Sequence, residues 1–309
     1  MTQQLMLKER ILSTLKFFDL QDYPLTLLEL HKYLIADVEF LKQKIDTQGE
    51  IITRDYTQEP EVSIFEVLKC LDVKCAKEVQ NTLGFYHLAG RGAIAQTRLT
   101  NYFFGIKREK LIKKYVGGLR RLPFIRGVAL GGSQAMGLSK RGSDIDLLII
   151  TDSRFLWLGR TIATLYFQVL GKRRYGEKIA DRFCLNHYLA GPKALGNIKN
   201  LYSAMEYARL RPLVGQGVVA NFQKNNLGWI RQFFPQWRSV PALLENFLAV
   251  QKFLEKILSG RFGLWLESKL KSWQLPRIKK GKFIIVEEDE LSFHPDSKQQ
   301  LLLQKFFYE

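Results

Sequence analysis

The chain has 309 residues, of which 46% are hydrophobic and 12% aromatic, and it carries a formal net charge of +17. This apolar content supports a packed core and excludes an intrinsically disordered chain, and the length leaves room for two or three domains. The charge is uneven: residues 1–100 hold 12 Lys and Arg against 14 Asp and Glu, whereas residues 101–309 hold 35 against 16. The basic two thirds should attract an anionic partner, whether nucleic acid, a nucleoside triphosphate or an anionic membrane surface, and charge alone does not choose among them.

The N-terminus, MTQQLMLKER, lacks the apolar stretch and cleavage site of a signal peptide. No apolar run approaches the ~18–20 residues needed to span a bilayer. Cys70, Cys75 and Cys184 read as reduced thiols and not as a zinc site or a disulfide frame. Together these features predict a soluble, cytoplasmic protein with no membrane span.

Residues 1–95 predict a winged-helix-like domain. LKERILSTLKFF has helical apolar spacing, and PLTLLELHKYLI opens with Pro24 and Thr26, a helix-start signal. A polar, acidic stretch covers residues 36–61, and Ser63 then precedes a third helix, IFEVLKCLD. NTLGFYHLAGRG reads as strand and turn between Gly84 and Gly90. A module of this kind usually reads DNA with its third helix. Here that helix mixes Lys69 and Lys74 with Glu66 and Asp72, which argues for packing or partner binding instead.

Residues 96–195 predict the central core. A basic helical stretch runs to Gly117-Gly118, which should end it, and eight cations between Lys107 and Arg126 read as a solvated face. RGVAL is a strand entering a glycine turn, LLIIT a buried strand, FLWLGRTIATLYFQVL a long helix and RFCLNHYLA a further strand. Residues 196–309 predict a mostly helical region: NLYSAMEYARLRPL, VVANFQKNNLGWIRQFF, PALLENFLAVQKFLEKIL and SKQQLLLQKFF, with KFIIV as a short strand. Arg160 is read as structural or surface, and His187 as a strand residue, not a ligand.

The chemistry concentrates in VALGGSQAMGLSKRGSDIDLLIIT, residues 128–151. Gly131 and Gly132 let backbone N–H groups approach phosphate oxygens closely, and Ser133 adds a hydroxyl donor. Ten residues later, Asp144 and Asp146 alternate with Ile145 and Leu147, so both carboxylates share one face of a strand. Two acids so placed repel each other, and a divalent cation removes the conflict. Lys140 and Arg141 lie in the spacer, where they either reach a triphosphate or remain solvated. Ser143, just before the acid pair, joins the nucleotide-binding set of Gly131, Gly132, Ser133, Lys140 and Arg141.

Gly-Ser, ten residues, Asp-x-Asp resembles the signature of the polymerase β-like nucleotidyltransferase superfamily, and in particular its minimal antitoxin members. The resemblance is strong over residues 122–152. It implies an α/β (α+β mixed sheet) nucleotidyltransferase core, two Mg²⁺ ions held by Asp144 and Asp146, and NTP as substrate. It also implies transfer of an NMP group to an acceptor hydroxyl of protein, small molecule or nucleic acid. Such enzymes usually carry a third acid on a later strand, as metal ligand and base. Asp181 is carried over to that catalytic and metal role, Glu177 is a further possibility, and Asn186 stands at the mid-strand place. Which of Asp181 and Asn186 fills the position separates an active enzyme from the alternative, a weak or inactive nucleotide- or nucleic-acid-binding regulator of the same fold.

Overall fold

The computed structural model describes residues 3–43, 45, 61–193, 195, 199–243, 248–279, 284–293 and 297–308. Most of the predicted polar stretch (46–60) and residues 244–247 of the predicted PALLENFLAVQKFLEKIL helix lie outside them. The N-terminal elements are α1 (Gln3–Asp19), α2 (Leu27–Lys32), α3 (Val38–Lys42), α4 (Ile64–Lys74), β1 (Val79–Thr82) and β2 (Phe85–Leu88). Then come α5 (Ala93–Val116), a 3-10 turn (Gly117–Arg121), β3 (Ile125–Leu130), the single-turn α6 (Gly132–Ala135), β4 (Ile145–Thr151), α7 (Leu156–Val169) and β5 (Phe183–Ala190). The remainder comprises α8 (Leu201–Ala208), β6 (Arg211–Val214), α9 (Gln216–Asn225), α10 (Leu227–Phe233) and α11 (Ala249–Leu258). It closes with α12 (Arg261–Ile278), β7 (Ile285–Val286), β8 (Glu290–Ser292) and α13 (Ser297–Tyr308).

Local chemistry explains the N-terminal elements. Thr26 and Ser63 open α2 and α4 with reciprocal capping boxes, paired with Glu29 and Glu66. Leu83 and Gly84, both at positive φ (56° and 83°), form the two-residue connection that joins β1 to β2. The Gly84 N–H donates to Asn81 Oδ1 at 3.1 Å, fixing that turn.

The main sheet has six strands in the order β6-β3-β4-β5-β8-β7. Among the described strands only β4 and β5 pair in parallel, so the sheet is mixed. β4 is buried on both faces. Leu148 and Ile150 join a core with the N-terminal helices and α8–α10, while Ile145, Leu147 and Ile149 face α5 and α7. This is the two-residue alternation of a strand, and it fixes which face Asp146 occupies.

The N-terminal helices share one continuous core with the sheet. The Arg209 guanidinium, just beyond α8, lies 4.7, 4.3 and 4.5 Å from the ring centroids of Phe18, Tyr23 and Tyr33. Such cation–π contacts strengthen when desolvated, and Arg209 is buried. Nearby, burial pushes the Glu29 carboxyl up, but the Arg98 guanidinium 2.7 Å away outweighs it and holds Glu29 at about 2.

Three expectations change. ARLRPL does not continue a helix: Arg211–Val214 form β6, an edge strand on β3, where Pro212 is tolerated because an edge strand need not donate on both sides. The C-terminal third also supplies β7 and the unforeseen β8, so it is not only helical. Of the eight cations from Lys107 to Arg126, six are exposed, but Arg108 is buried and Arg126 is half-buried, donating to Glu255 and Asp152. No helix among the described residues is long and apolar enough to cross a membrane.

Candidate active site

β3 delivers the chain into Gly131, whose N–H donates to the Asp146 carbonyl at 3.0 Å and ties the turn to β4. Gly132 has φ +58°, and a Cβ there would lie 2.1 Å from Asp146 Oδ2. Backbone conformation and space both demand glycine. The N–H groups of Gly132 and Ser133 open α6, so they have no partner within that helix and remain as donors. The turn therefore brings the Gly132 backbone directly against the carboxylate of Asp146.

Asp144 and Asp146 project from the same face at the start of β4. Ligand atoms of Asp144, Asp146 and Cys184 all lie within 4.8 Å of one another. Cys184 sits at the start of β5, opposite Asp146 in the parallel register. The predicted repulsion between the acids is offset by two neighbours. Arg174 Nη1 donates to Asp144 Oδ2 at 2.6 Å and contacts Cys184 Sγ at 3.4 Å. Asn186 Nδ2 donates to Asp146 Oδ1 at 2.8 Å.

Burial pushes the Cys184 thiol up to about 12, and the negative charge of Asp146 adds to the shift. The thiol is neutral at ordinary pH. α8 closes another side of the site: the Glu206 carboxylate, burial and then Asp146 all push the Tyr202 hydroxyl upward. As a donor set, two carboxylates beside a glycine turn fit a hard divalent cation such as Mg²⁺. The thiol is a soft donor that Mg²⁺ does not favour.

The remaining predicted residues fall elsewhere. Asp181 precedes β5 at φ +55°, and its carboxylate accepts from Arg108 Nε at 2.7 Å. It is not in the group around Asp144 and Asp146. Arg108 also donates to the Ser143 hydroxyl (2.5 Å) and carbonyl (3.0 Å), while that hydroxyl donates to the Lys140 carbonyl (3.0 Å). Asp181 and Ser143 thus clamp a buried guanidinium, which needs an acid and hydrogen-bond acceptors to be tolerated in the interior. Lys140 and Arg141 are exposed, and Glu177 is exposed before β5.

Asn186, not Asp181, faces the acid pair. His187 is buried, with Nε2 3.1 Å from Glu290 Oε1, and Arg160 contacts Gln274; neither enters the site. Sequence reading missed Arg174 and Cys184. Cys184 had a usable signal, since it lies two residues before Asn186 and so shares its strand face. Arg174, on the turn between α7 and β5, had none.

No curated protein and no solved structure matches the chain at a significant level. The family model that matches ends before β5, and so spans the turn and the acid pair but neither Cys184 nor Asn186. Residues 112–182 match the family described as Nucleotidyltransferase domain, and the polymerase β-like nucleotidyltransferase resemblance carried by Gly132, Ser133, Asp144 and Asp146 is thereby borne out.

Proposed function

We propose that the protein is a Mg²⁺-dependent nucleotidyltransferase that moves an NMP group from an NTP to an acceptor hydroxyl and releases pyrophosphate. The observation that carries this reading is the contact of Gly132 with Asp146, which sets a phosphate-binding turn against two carboxylates. Asp144 and Asp146 hold the cation, and the Gly132 and Ser133 N–H groups with the Ser133 hydroxyl hold the terminal phosphates. Gly131 contributes by anchoring the turn. When bound, the cation neutralises phosphate charge and polarises the bond to the transferred phosphorus.

Arg174 then exchanges its Asp144 contact for a phosphate oxygen, and Lys140 and Arg141 meet the triphosphate from the rim. Asp181 is dropped from the catalytic set because its carboxylate belongs to Arg108. The proton of the acceptor hydroxyl passes to water or to a group on the acceptor. A protein hydroxyl, a small molecule and a nucleic-acid 3′ end all remain compatible acceptors.

One observation favours a second reading, a weak or inactive nucleotide-binding regulator: an amide, not a carboxylate, faces Asp146 from β5. Residues 1–95 are taken as a winged-helix-like packing or partner module, a view supported by the core they share with the sheet. Incubating the chain with each labelled NTP and Mg²⁺, then tracing label to protein, RNA or small molecules, tests the first reading. Thermal stabilisation by Mg²⁺-NTP without any labelled product favours the second. Neither label nor stabilisation sinks both.

A further inference from the structure

We infer that α11 and α12 form a docking surface for an anionic phospholipid membrane, on which the protein lies without spanning it. The two helices present large apolar side chains to solvent. Phe253 and Ile257 on α11 are 63% and 58% exposed, and Phe262, Trp265 and Trp273 on α12 are 60%, 54% and 57% exposed. Their spacing is helical: Phe253 and Ile257 are four apart, and Phe262 and Trp265 are three apart with stacked rings 5.8 Å between centroids. Trp273 carries the Arg277 guanidinium 4.2 Å from its ring centroid.

The inward faces are anchored by polar groups. Gln251 Nε2 donates to the Ile125 carbonyl at 2.8 Å. Glu255 accepts from the Phe124 N–H (2.7 Å) and from Arg126. Glu267 accepts from the Trp157 and Leu158 N–H groups (2.8 and 2.7 Å), capping the start of α7. Glu255 and Glu267 are the only acids between residues 249 and 279, and both point inward. Every exposed charge on these helices is therefore positive, from Lys252, Lys256, Arg261, Lys269, Lys271 and Arg277 among others.

An apolar face with purely cationic flanks selects its occupant. A second copy docking through the same face would set this cationic stripe against itself. Single-stranded nucleic acid rewards aromatic stacking, but it gives nothing to the exposed aliphatic side chains Val250, Ile257 and Leu264. An anionic bilayer uses all three classes: aliphatic groups and Phe at the acyl boundary, Trp at the headgroups, and Lys and Arg against lipid phosphates.

The α11 end of this surface is remote from the acid pair. Gln251 and Glu255 hold the start of β3, which pairs with Thr151 at the far end of β4 from Asp144 and Asp146. Along β4 that separation is ~20 Å. A lipid-binding readout on this surface does not depend on any transfer activity.

The test is sedimentation of the full chain with vesicles of phosphatidylglycerol and phosphatidylcholine, compared with phosphatidylcholine alone. The expected result is binding to the anionic vesicles only, weakened by salt. Phe262→Ala with Trp265→Ala, and separately Lys269→Glu with Lys271→Glu, should each lower partitioning by about tenfold or more. Phe65→Ala, an exposed residue on α4, should leave it unchanged. Thermal melts establish that each variant folds, and Ile257→Ser on the neighbouring helix serves if one does not. Absence of vesicle binding by the wild-type chain overturns the inference, as does binding that no variant weakens. A lipid-free dimer that the aromatic variant dissolves assigns the face to a second copy instead. Single-stranded RNA binding lost in both variants, without vesicle binding, assigns it to nucleic acid.

Discussion

The starts of β4 and β5 lie side by side in parallel register, with Asp146 opposite Cys184. β4 brings two carboxylates at the spacing expected after a Gly-Ser turn. β5 brings a thiol and an amide, where the polymerase β-like resemblance leads one to expect an acid. The acid pair has its own built neighbours, Arg174 on Asp144 and Asn186 on Asp146. The contrast separates two capacities that usually come together. Holding a cation and a triphosphate needs the turn and the two acids, whereas removing the acceptor proton needs a base that β5 does not offer.

The sharpest way to break this comparison is on the β4 side. Asp146→Asn should reduce NMP transfer by about a thousandfold or more, the scale of a lost metal ligand. Its fold should survive, because Arg174 and Asn186 already offset the repulsion within the pair. A thermal melt and a single-turnover assay on the same protein check both halves. Loss of the fold, or transfer near the wild-type rate, would remove Asp146 from the cation site.

The β5 side is tested by adding what it lacks. Asn186→Asp should raise turnover by about a hundredfold, the usual contribution of a positioned base. In the metal-free protein the same change sets three negative charges together, so it should lower the melting temperature and restore it with Mg²⁺. No gain in turnover, with Mg²⁺-dependent restoration intact, would show that β5 does not supply the base position.

Asp181 provides the control. Asp181→Asn removes the acid partner of the buried Arg108 guanidinium and should destabilise the protein by about 1–3 kcal/mol in urea unfolding. Turnover should stay within about a factor of three, and NTP affinity should be unchanged. A large loss of turnover without a stability change would return Asp181 to the catalytic set.

The smallest effect concerns Cys184 and pH. Burial raises its thiol from 9.0 to about 12, so the folded protein keeps a proton that the unfolded chain releases above pH 9.0. Folding then binds a proton, and stability falls as pH rises through that window. Relative to Cys184→Ala, wild-type stability should be level below about pH 9 and drop by on the order of 1 kcal/mol by about pH 10. Parallel curves for the two proteins across that range would place the thiol in a more solvated setting.

Much of this was legible in the chain itself. Thr26 and Ser63 announce α2 and α4 because a capping box needs only residues three apart. Gly132, Ser133, Asp144 and Asp146 declare the turn and the acid strand through spacing and alternation, both properties of a single short segment. The basic excess after residue 100 is arithmetic, although it hid the inward turn of Arg108 and Arg126. Helical spacing misled where it mattered: NLYSAMEYA carries a helical pattern into ARLRPL, yet β3 needed an edge partner and took Arg211–Val214.

What the sequence by itself determined, then, is the glycine turn, the acid pair and the elements that carry them. Only the tertiary structure decided who neutralises whom. Arg108 claims Asp181 across 73 residues, Asn186 faces Asp146 across 40, and Arg174 reaches Asp144 across 30. It also decided that Glu255 and Glu267 turn inward and leave the cations and aromatics of α11 and α12 outside. The physical reason is common to all of these. A buried charge must find a partner because desolvation is costly, and the partner is whichever group the packed chain brings within about 3 Å, a condition that no local pattern encodes.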